Sequence, residues 1–444
     1  MLRAASLGLV LAVAVVAAGG LVASRLAPDA QPLPRLVAAH ALPLDGDGAY
    51  TPLLDAVGDG SVVLLGEETH GTREFHRERA RITHRLLAER GFGAVSIEAE
   101  WGDARALDAY VRGGGAHARA GDALATIDGF PAWVWANESF RAFLDSLRAR
   151  NRELPAAQRI GVYGLDMQDI FASIDAVVAD VGAVDPAAAA RARAGYACFE
   201  RWRASPEAYG SLQDESGGGC AGAAESVLAK LERRAARWPA AVHGARAVVA
   251  GERFHRARRE PDASAWNLRD EHMADTVDAV AAPGRGGRRT KVVAWAHNTH
   301  VGDARGTDLH GREAWSLGEL LRQRHGHGAV TLVGFTTHGG TVTAATAWGG
   351  PARQLELPPA RRGSHGALFH AAVGGDFLLV LRGNATLERR LAGERGQRAV
   401  GVVYDPGTER TANYVTARLS RQFDAVVHVD RSRAVVPLRG APQD

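Results

Sequence analysis

Eight short apolar runs of strand length, most of them separated by helix-like segments, constrain this chain more than any other feature. They span 61–66, 94–98, 159–165, 291–296, 329–335, 377–382, 400–404 and 425–429. Their Val, Ile and Leu residues are continuous rather than alternating, and such a strand must be covered on both faces to keep its side chains from water. The pattern predicts an α/β fold with a central, largely parallel sheet flanked by helices. One domain over 34–438 accommodates all eight runs. Between the third and fourth runs, about 185–282 is Ala- and Arg-rich with a helical pattern. It opens on Asp185-Pro186, an N-cap followed by proline at the first helical position, and breaks at Ser205-Pro206, at 217–219 and at Trp238-Pro239. This stretch reads as a helical insertion.

The N-terminus is separate in character. Residues 4–24, between Arg3 and Arg25, carry no charge and are dominated by Ala, Val and Leu, with Pro28, Pro32 and Pro34 behind them. A run of that length suits one bilayer span or an export signal. Residues 1–30 are therefore expected to be a signal peptide or N-terminal membrane anchor. The body is expected outside the cytoplasm, periplasmic or tethered to the cytoplasmic membrane through 4–24. Export would permit Cys198 and Cys220 to pair, although two buried thiols fit the sequence equally. Neither cysteine has a CxxC or a histidine at zinc spacing, which argues against a structural metal.

Charge removes other classes. With 53 Lys+Arg against 50 Asp+Glu, and the arginines dispersed, no nucleic-acid partner is expected. The two lysines, Lys230 and Lys291, come after Ala229 and Thr290, so there is no phosphate-binding Gly-Lys-Ser/Thr loop.

The residues at the end of each run carry the chemistry. The first run ends Gly66-Glu67-Glu68-Thr69-His70-Gly71, the second at Glu98 with Glu100 two residues on, and the third Gly164-Leu165-Asp166. The fourth ends Trp295-Ala296-His297-Asn298-Thr299-His300 and the fifth Thr336-Thr337-His338. Open α/β sheets place their ligand crevice at the carboxyl ends of the strands, so these groups are expected to converge in one cleft. Glu68, alternating with Glu67, is read as facing water. On the helix after Thr72, residues His76, Arg79 and Thr83 share one face, which puts Arg79 in reach of a carboxylate of the substrate or of Glu98. No Gly-x-Ser-x-Gly elbow and no His-Glu-x-x-His occur, and the single Gly-x-Gly-x-x-Gly match, Gly217 to Gly222, is preceded by no strand. Activation of water by an imidazole is the remaining route, with a carboxylate fixing its tautomer and His297, His300 or Arg79 facing the oxyanion.

The Gly66-Glu67-x-x-His70-Gly71 motif, the Arg79-Ala-Arg81-Ile-Thr83 run, Glu98, Gly164-Leu165-Asp166 and Trp295-Ala-His297-Asn-Thr-His300-Val-Gly-Asp303 together resemble the erythromycin esterase family. Trp266-Asn-Leu-Arg269-Asp270 and the 341–345 segment do so too. The resemblance implies hydrolysis of a carboxylic ester or lactone without cofactor, metal or covalent nucleophile. It implies His70 as the water-activating base, with Glu67, Arg79, Glu98, His297 and His300 completing the catalytic set. Asp166, Arg269 and Trp133 are the candidate substrate contacts. Two rivals stand beside this reading. Glu67, His70, Glu98, Asp166, His297 and His300 are adequate ligands for a divalent ion in a metal-dependent hydrolase. Trp101, Trp133 and Trp135 would suit the cleft of a non-catalytic exported protein that binds polysaccharide or another envelope component.

Overall fold

The computed structural model describes residues 31–127, 131–204, 208–209, 219–282, 287 and 289–438. The expected signal or anchor at 1–30 lies outside the described residues, as do Ser205-Pro206, Gly217 and Gly218. Among the described residues no helix is long and apolar enough to cross a membrane.

The described residues form eleven strands: β1 Leu42–Pro43, β2 Val62–Leu65, β3 Phe92–Glu100, β4 Gly161–Asp166, β5 Lys291–Trp295, β6 Val330–Ala344, β7 Arg353–Leu357, β8 Phe377–Val380, β9 Arg395–Arg398, β10 Tyr414–Ala417 and β11 Ala425–Ser432. Six of them, in the order β11-β6-β2-β5-β3-β4, make a continuous parallel sheet; β8 and β1 extend it antiparallel at one edge, and β7 folds back on the end of β6. The expected α/β architecture is present, and the alternation of side chains explains its continuous apolar runs. Val63, Leu65, Val293 and Trp295 pack with Phe75, Ile82 and Leu86 of the helix Arg73–Glu89 on one face. Val62, Leu64, Val292 and Ala294 meet Met273, Ala274 and Val277 of the helix Ser264–Ala281 on the other. Each fully buried Val, Leu, Ile or Phe contributes about 1.5–3 kcal/mol, which is why neither face is left wet.

The insertion forms a separate core with the helix Ile170–Gly182 that leads into it, Ile174 and Val177 packing with Tyr196, Phe199, Val227, Trp238 and Val248. Asp185 caps its first helix, Pro186–Gly195, through Ala188 N–H at 2.8 Å, as its position before Pro186 predicts. Cys198 and Cys220 are joined in a disulfide, with Cα atoms 5.9 Å apart, which settles the alternative left open by the sequence.

Two strand expectations need correction. The 400–404 run is not a ladder strand; it makes single bridges, Thr69 with Val400 and Ala345 with Val403, because both edges of β6 are already taken by β2 and β11. The fifth run does not end at Phe335 but continues through Gly339 and Gly340 to Ala344, so His338 lies inside β6 rather than after it. That extension rises past the first motif, and Gly71 makes its passage possible: a Cβ there would sit 1.9 Å from the Thr343 carbonyl oxygen. Gly71 O also accepts the N–H groups of Thr343 (3.1 Å) and Val435 (3.0 Å). Gly71→Ala is expected to destabilise the fold by about 1–3 kcal/mol or more through overpacking. Urea unfolding monitored by circular dichroism measures this, and an unchanged midpoint would mean that β6 does not press on the motif.

Candidate active site

The chain leaves β2 through Gly66, where a Cβ would fall 2.1 Å from Asn298 Oδ1. Asn298 in turn bonds both Phe335 O (2.7 Å) and Phe335 N (3.2 Å), so the ends of β2 and β5 are locked to the middle of β6. Glu67 comes next, fully buried, and its two oxygens are divided. Oε1 lies 2.8 Å from His70 Nδ1 and Oε2 lies 2.6 Å from Arg79 Nη2. Arg79 is also fully buried, under the Trp295 ring at 4.8 Å. Its helix brings it to the motif as expected, but it is a partner of Glu67 rather than a clamp for substrate. Burial pulls the His70 pKa down, but the hydrogen bond and charge of Glu67 and the charge of Glu98 outweigh it, and the net direction is up. With Nδ1 on Glu67, Nε2 is the nitrogen left for a reacting molecule, and 13% of the side chain is exposed.

A second cluster joins β3, β4, β5 and the helix Ser264–Ala281. Arg269 Nη2 donates to Glu98 Oε1 (2.8 Å) and Asp166 Oδ2 (2.6 Å), and its Nε faces both Asp166 oxygens at 3.1 Å. Its Nη1 lies 2.9 Å from His300 Nε2, while His300 Nδ1 faces Asp270 at 2.8 and 3.0 Å. Trp266 stacks on the His300 ring at 4.3 Å. Burial disfavours the Glu98 charge, yet the imidazoles of His300 and His70, the Arg269 guanidinium and the His297 N–H hold its carboxyl well below the usual range. Asp166 is lowered in the same way, Arg269 overcoming burial. Glu100, opposite Asp166 in the β3–β4 ladder, goes the other way: burial and the Asp166 charge hold it well above the usual range, a neutral acid beside an ionised one.

Strand-end groups from β2, β3, β4 and β5 therefore do gather, with exceptions. His297 uses its backbone N–H on Glu98 Oε2 (2.7 Å); its Nδ1 accepts from the Thr299 hydroxyl (2.8 Å) and its Nε2–H donates to Glu68 O (3.2 Å). Burial, aided by His70, pushes its pKa down to about 3, so it is a neutral ring with both nitrogens occupied. Glu68 does not face water: it is buried, accepts the Thr337 N–H at 2.7 Å, and is pushed up to about 8 by burial. His338 stacks on His370 at 3.8 Å instead of joining the cluster. Trp133 lies in the main hydrophobic core at 7% exposure, with Trp135 beside it, and Trp101 packs against His243, so these three line no ligand cleft. Trp135 does pin the strand that carries Glu98, donating its Nε1–H to Glu98 O at 2.9 Å. In the sequence Asp270 and Trp266 are visible only as parts of a motif. Their roles are hidden there because they act on His300 across thirty residues of chain.

The donor set that suits a divalent ion is closed by its own cation. Glu98, Asp166 and His300 all converge on Arg269, and among the described residues no group of three or more His, Cys, Asp or Glu is placed to hold a metal. Surface cavities of 610, 380 and 210 Å³ elsewhere are lined by none of these residues.

The strand ends of this parallel α/β sheet carry two imidazole–carboxylate couples, each set against an arginine. The erythromycin esterase family profile matches residues 87–432, and the chain belongs to that family. Among solved structures it is similar to a succinoglycan biosynthesis protein, at 21% identity over 92% of this chain and 98% of the other with a TM-score of 0.77. It is similar to a Bacillus cereus protein at 19%, 92%, 98% and 0.76. A mutant of erythromycin esterase EreC in its open conformation gives 17%, 88%, 95% and 0.66. At these identities the likeness is one of fold.

Removing Arg79 tests the first couple. Arg79→Ala leaves Glu67 buried without its cation and is expected to cost about 3–5 kcal/mol, as breaking a buried pair from one side does. Chemical denaturation reads this directly; a stability within error of wild type would return Arg79 to the role of an accessible clamp.

Proposed function

We propose that this protein hydrolyses a carboxylic ester or lactone by direct attack of water, with His70 as general base. The observation that carries the reading is the Arg79–Glu67–His70 relay, in which a buried ion pair fixes a carboxylate on Nδ1 and leaves Nε2 of a partly exposed ring without that partner. Glu67 stabilises the imidazolium that forms, and a positioned base of this kind is worth roughly 100- to 10,000-fold. No serine or cysteine elbow stands at these strand ends, so water rather than an acyl-enzyme is the species attacking. Family membership supports ester chemistry in general; the scissile ester itself is chosen by the surroundings.

A second reading, a non-catalytic protein that binds a glycan, draws support from a different fact. One structural neighbour of higher TM-score than the EreC esterase is named for succinoglycan biosynthesis. A glycan-borne ester reconciles the two, and a protein that holds polysaccharide but turns over no ester would leave the second alone. Work outside the cytoplasm is part of the proposal, because the Cys198–Cys220 disulfide suits an oxidising compartment.

The test is turnover of a panel of lactones, simple esters and acylated sugars. His70→Ala is expected to lower kcat by roughly 100- to 10,000-fold with little change in Tm. Because the His70 pKa is raised and the base must be neutral, the acid limb of the rate profile should lie above the ordinary histidine value of about 6.5. Glu67→Gln removes the raising influence and should move that limb to lower pH. Turnover of His70→Ala within a few-fold of wild type would exclude the mechanism.

A further inference from the structure

An arginine side chain has five N–H donors in a rigid planar fork. In Arg269 four are committed. Nε–H is on Asp166, the two Nη2 hydrogens are on Asp166 and Glu98, and one Nη1 hydrogen points to His300 Nε2 at 2.9 Å. The fifth, on Nη1, has no acceptor among the described residues, and 15% of the side chain is exposed, whereas Arg79 is fully buried. The direction of the bond to His300 is fixed from behind. Nδ1 lies between both oxygens of Asp270 and must carry the hydrogen, so Nε2 presents a lone pair. Two donors would not approach to 2.9 Å, and Glu98 Oε1, the competing acceptor for a hydrogen on Nε2, is farther away at 3.4 Å. Asp270 is itself immobilised, fully buried and accepting the Leu317 N–H at 2.6 Å.

We propose that Arg269 is the oxyanion donor of this site, a catalytic residue, and that Asp270 is a positioning residue acting on it through His300. The inference rests on the hydrolase reading and reassigns a role for which the sequence suggested His297, His300 or Arg79. Both nitrogens of each histidine are already engaged, and Arg79 has no surface. His70 Nε2 takes a proton from water as the water oxygen bonds to the carbonyl carbon. The C=O electron pair moves onto its oxygen, which accepts the free Nη1–H of Arg269. When that pair returns, the bond to the alcohol oxygen breaks and the proton held by His70 passes to the leaving alkoxide. Water and ester become acid and alcohol, with nothing else consumed. A donor held in place before the reaction, as Arg269 is by Asp166 and Glu98, needs no reorganisation during it, which is the source of its worth.

Arg269→Lys in the full chain keeps the charge but cuts the donors from five to three. It is expected to lower kcat on p-nitrophenyl acetate by roughly 100- to 1,000-fold, the usual worth of one oxyanion donor, with KM changed by less than about threefold. Affinity for phenyl methylphosphonate, a tetrahedral anion, should fall in parallel, while affinity for the planar N-phenylacetamide holds. Asp270→Asn supplies a second route should the lysine variant not fold. Long-range 1H–15N NMR should find His300 as the Nδ1–H tautomer in wild type and lose that signature in Asp270→Asn, as kcat falls and the His70 acid limb stays in place. Phosphonate affinity unmoved by Arg269→Lys, or His300 protonated on Nε2 alone in the wild type, would overturn the assignment. Phosphonate binding that depends on Arg269 in a protein hydrolysing no ester would defeat the hydrolase reading and the catalytic role with it, keeping only Arg269 as the donor to a tetrahedral anion.

Discussion

Four buried carboxylates gathered at the carboxyl ends of the sheet's strands must be neutralised before anything else about this protein can work. Glu67, Glu98, Asp166 and Asp270 are each no more than 7% exposed in the side chain. Burying a carboxylate costs several kcal/mol even after relaxation, and four together would unfold a marginally stable domain. Two arginines meet that charge, and the imidazoles of His70 and His300 add hydrogen bonds to it. Arginine suits the task because its fork satisfies several oxygens at once, where an ammonium would have to choose among them. The chain has two lysines in all, Lys230 and Lys291, and neither is here.

The two arginines divide the labour by depth. Arg79 sits wholly inside, between Glu67 and the Trp295 ring, and its effect on chemistry passes through the carboxylate it holds. Arg269 sits at the surface of the cluster and keeps one donor in reserve. Under the proposed mechanism, depth decides which cation holds the base and which meets the substrate, and chain order does not announce it. Helical spacing puts Arg79 beside His70 and so suggests a place at the substrate. Spacing is right about the neighbour and silent about the direction of approach.

The parallel sheet is legible because continuous Val, Ile and Leu runs have few other solutions, and the strand ends are legible because acidic and imidazole residues stand after them so regularly. The same reasoning fails where a strand's fate depends on a neighbour. Residues 400–404 have the composition of a strand but no free edge to join, and β6 crosses Gly339 and Gly340 because β7 and β11 pair with it there. Polar, half-exposed β7 and β9 carry no apolar run to read. Trp133 shows the limit for binding residues: an aromatic near an expected cleft is usually core, and burial alone tells the two apart. The Arg269–Asp166 pair spans more than a hundred residues, beyond any local pattern.

That separation gives the helical insertion its place in the chemistry. Its first helices bury their own core around Tyr196, Phe199 and Val248, and the disulfide ties Cys198 to Cys220 inside that core. Its last helix, Ser264–Ala281, turns from that core to the sheet, burying Met273 and Val277 against β2 and β5 while its first turns carry Arg269 and Asp270 to the strand ends. The helix Pro239–Ala257 packs on both it and the helix Ile170–Gly182 that leads into the insertion, so the two cores are mechanically continuous. A sheet alone would present Glu98 and Asp166 as unpaired buried charges. The insertion therefore completes the electrostatics of the fold, and whatever loosens its core releases the cation that both carboxylates require.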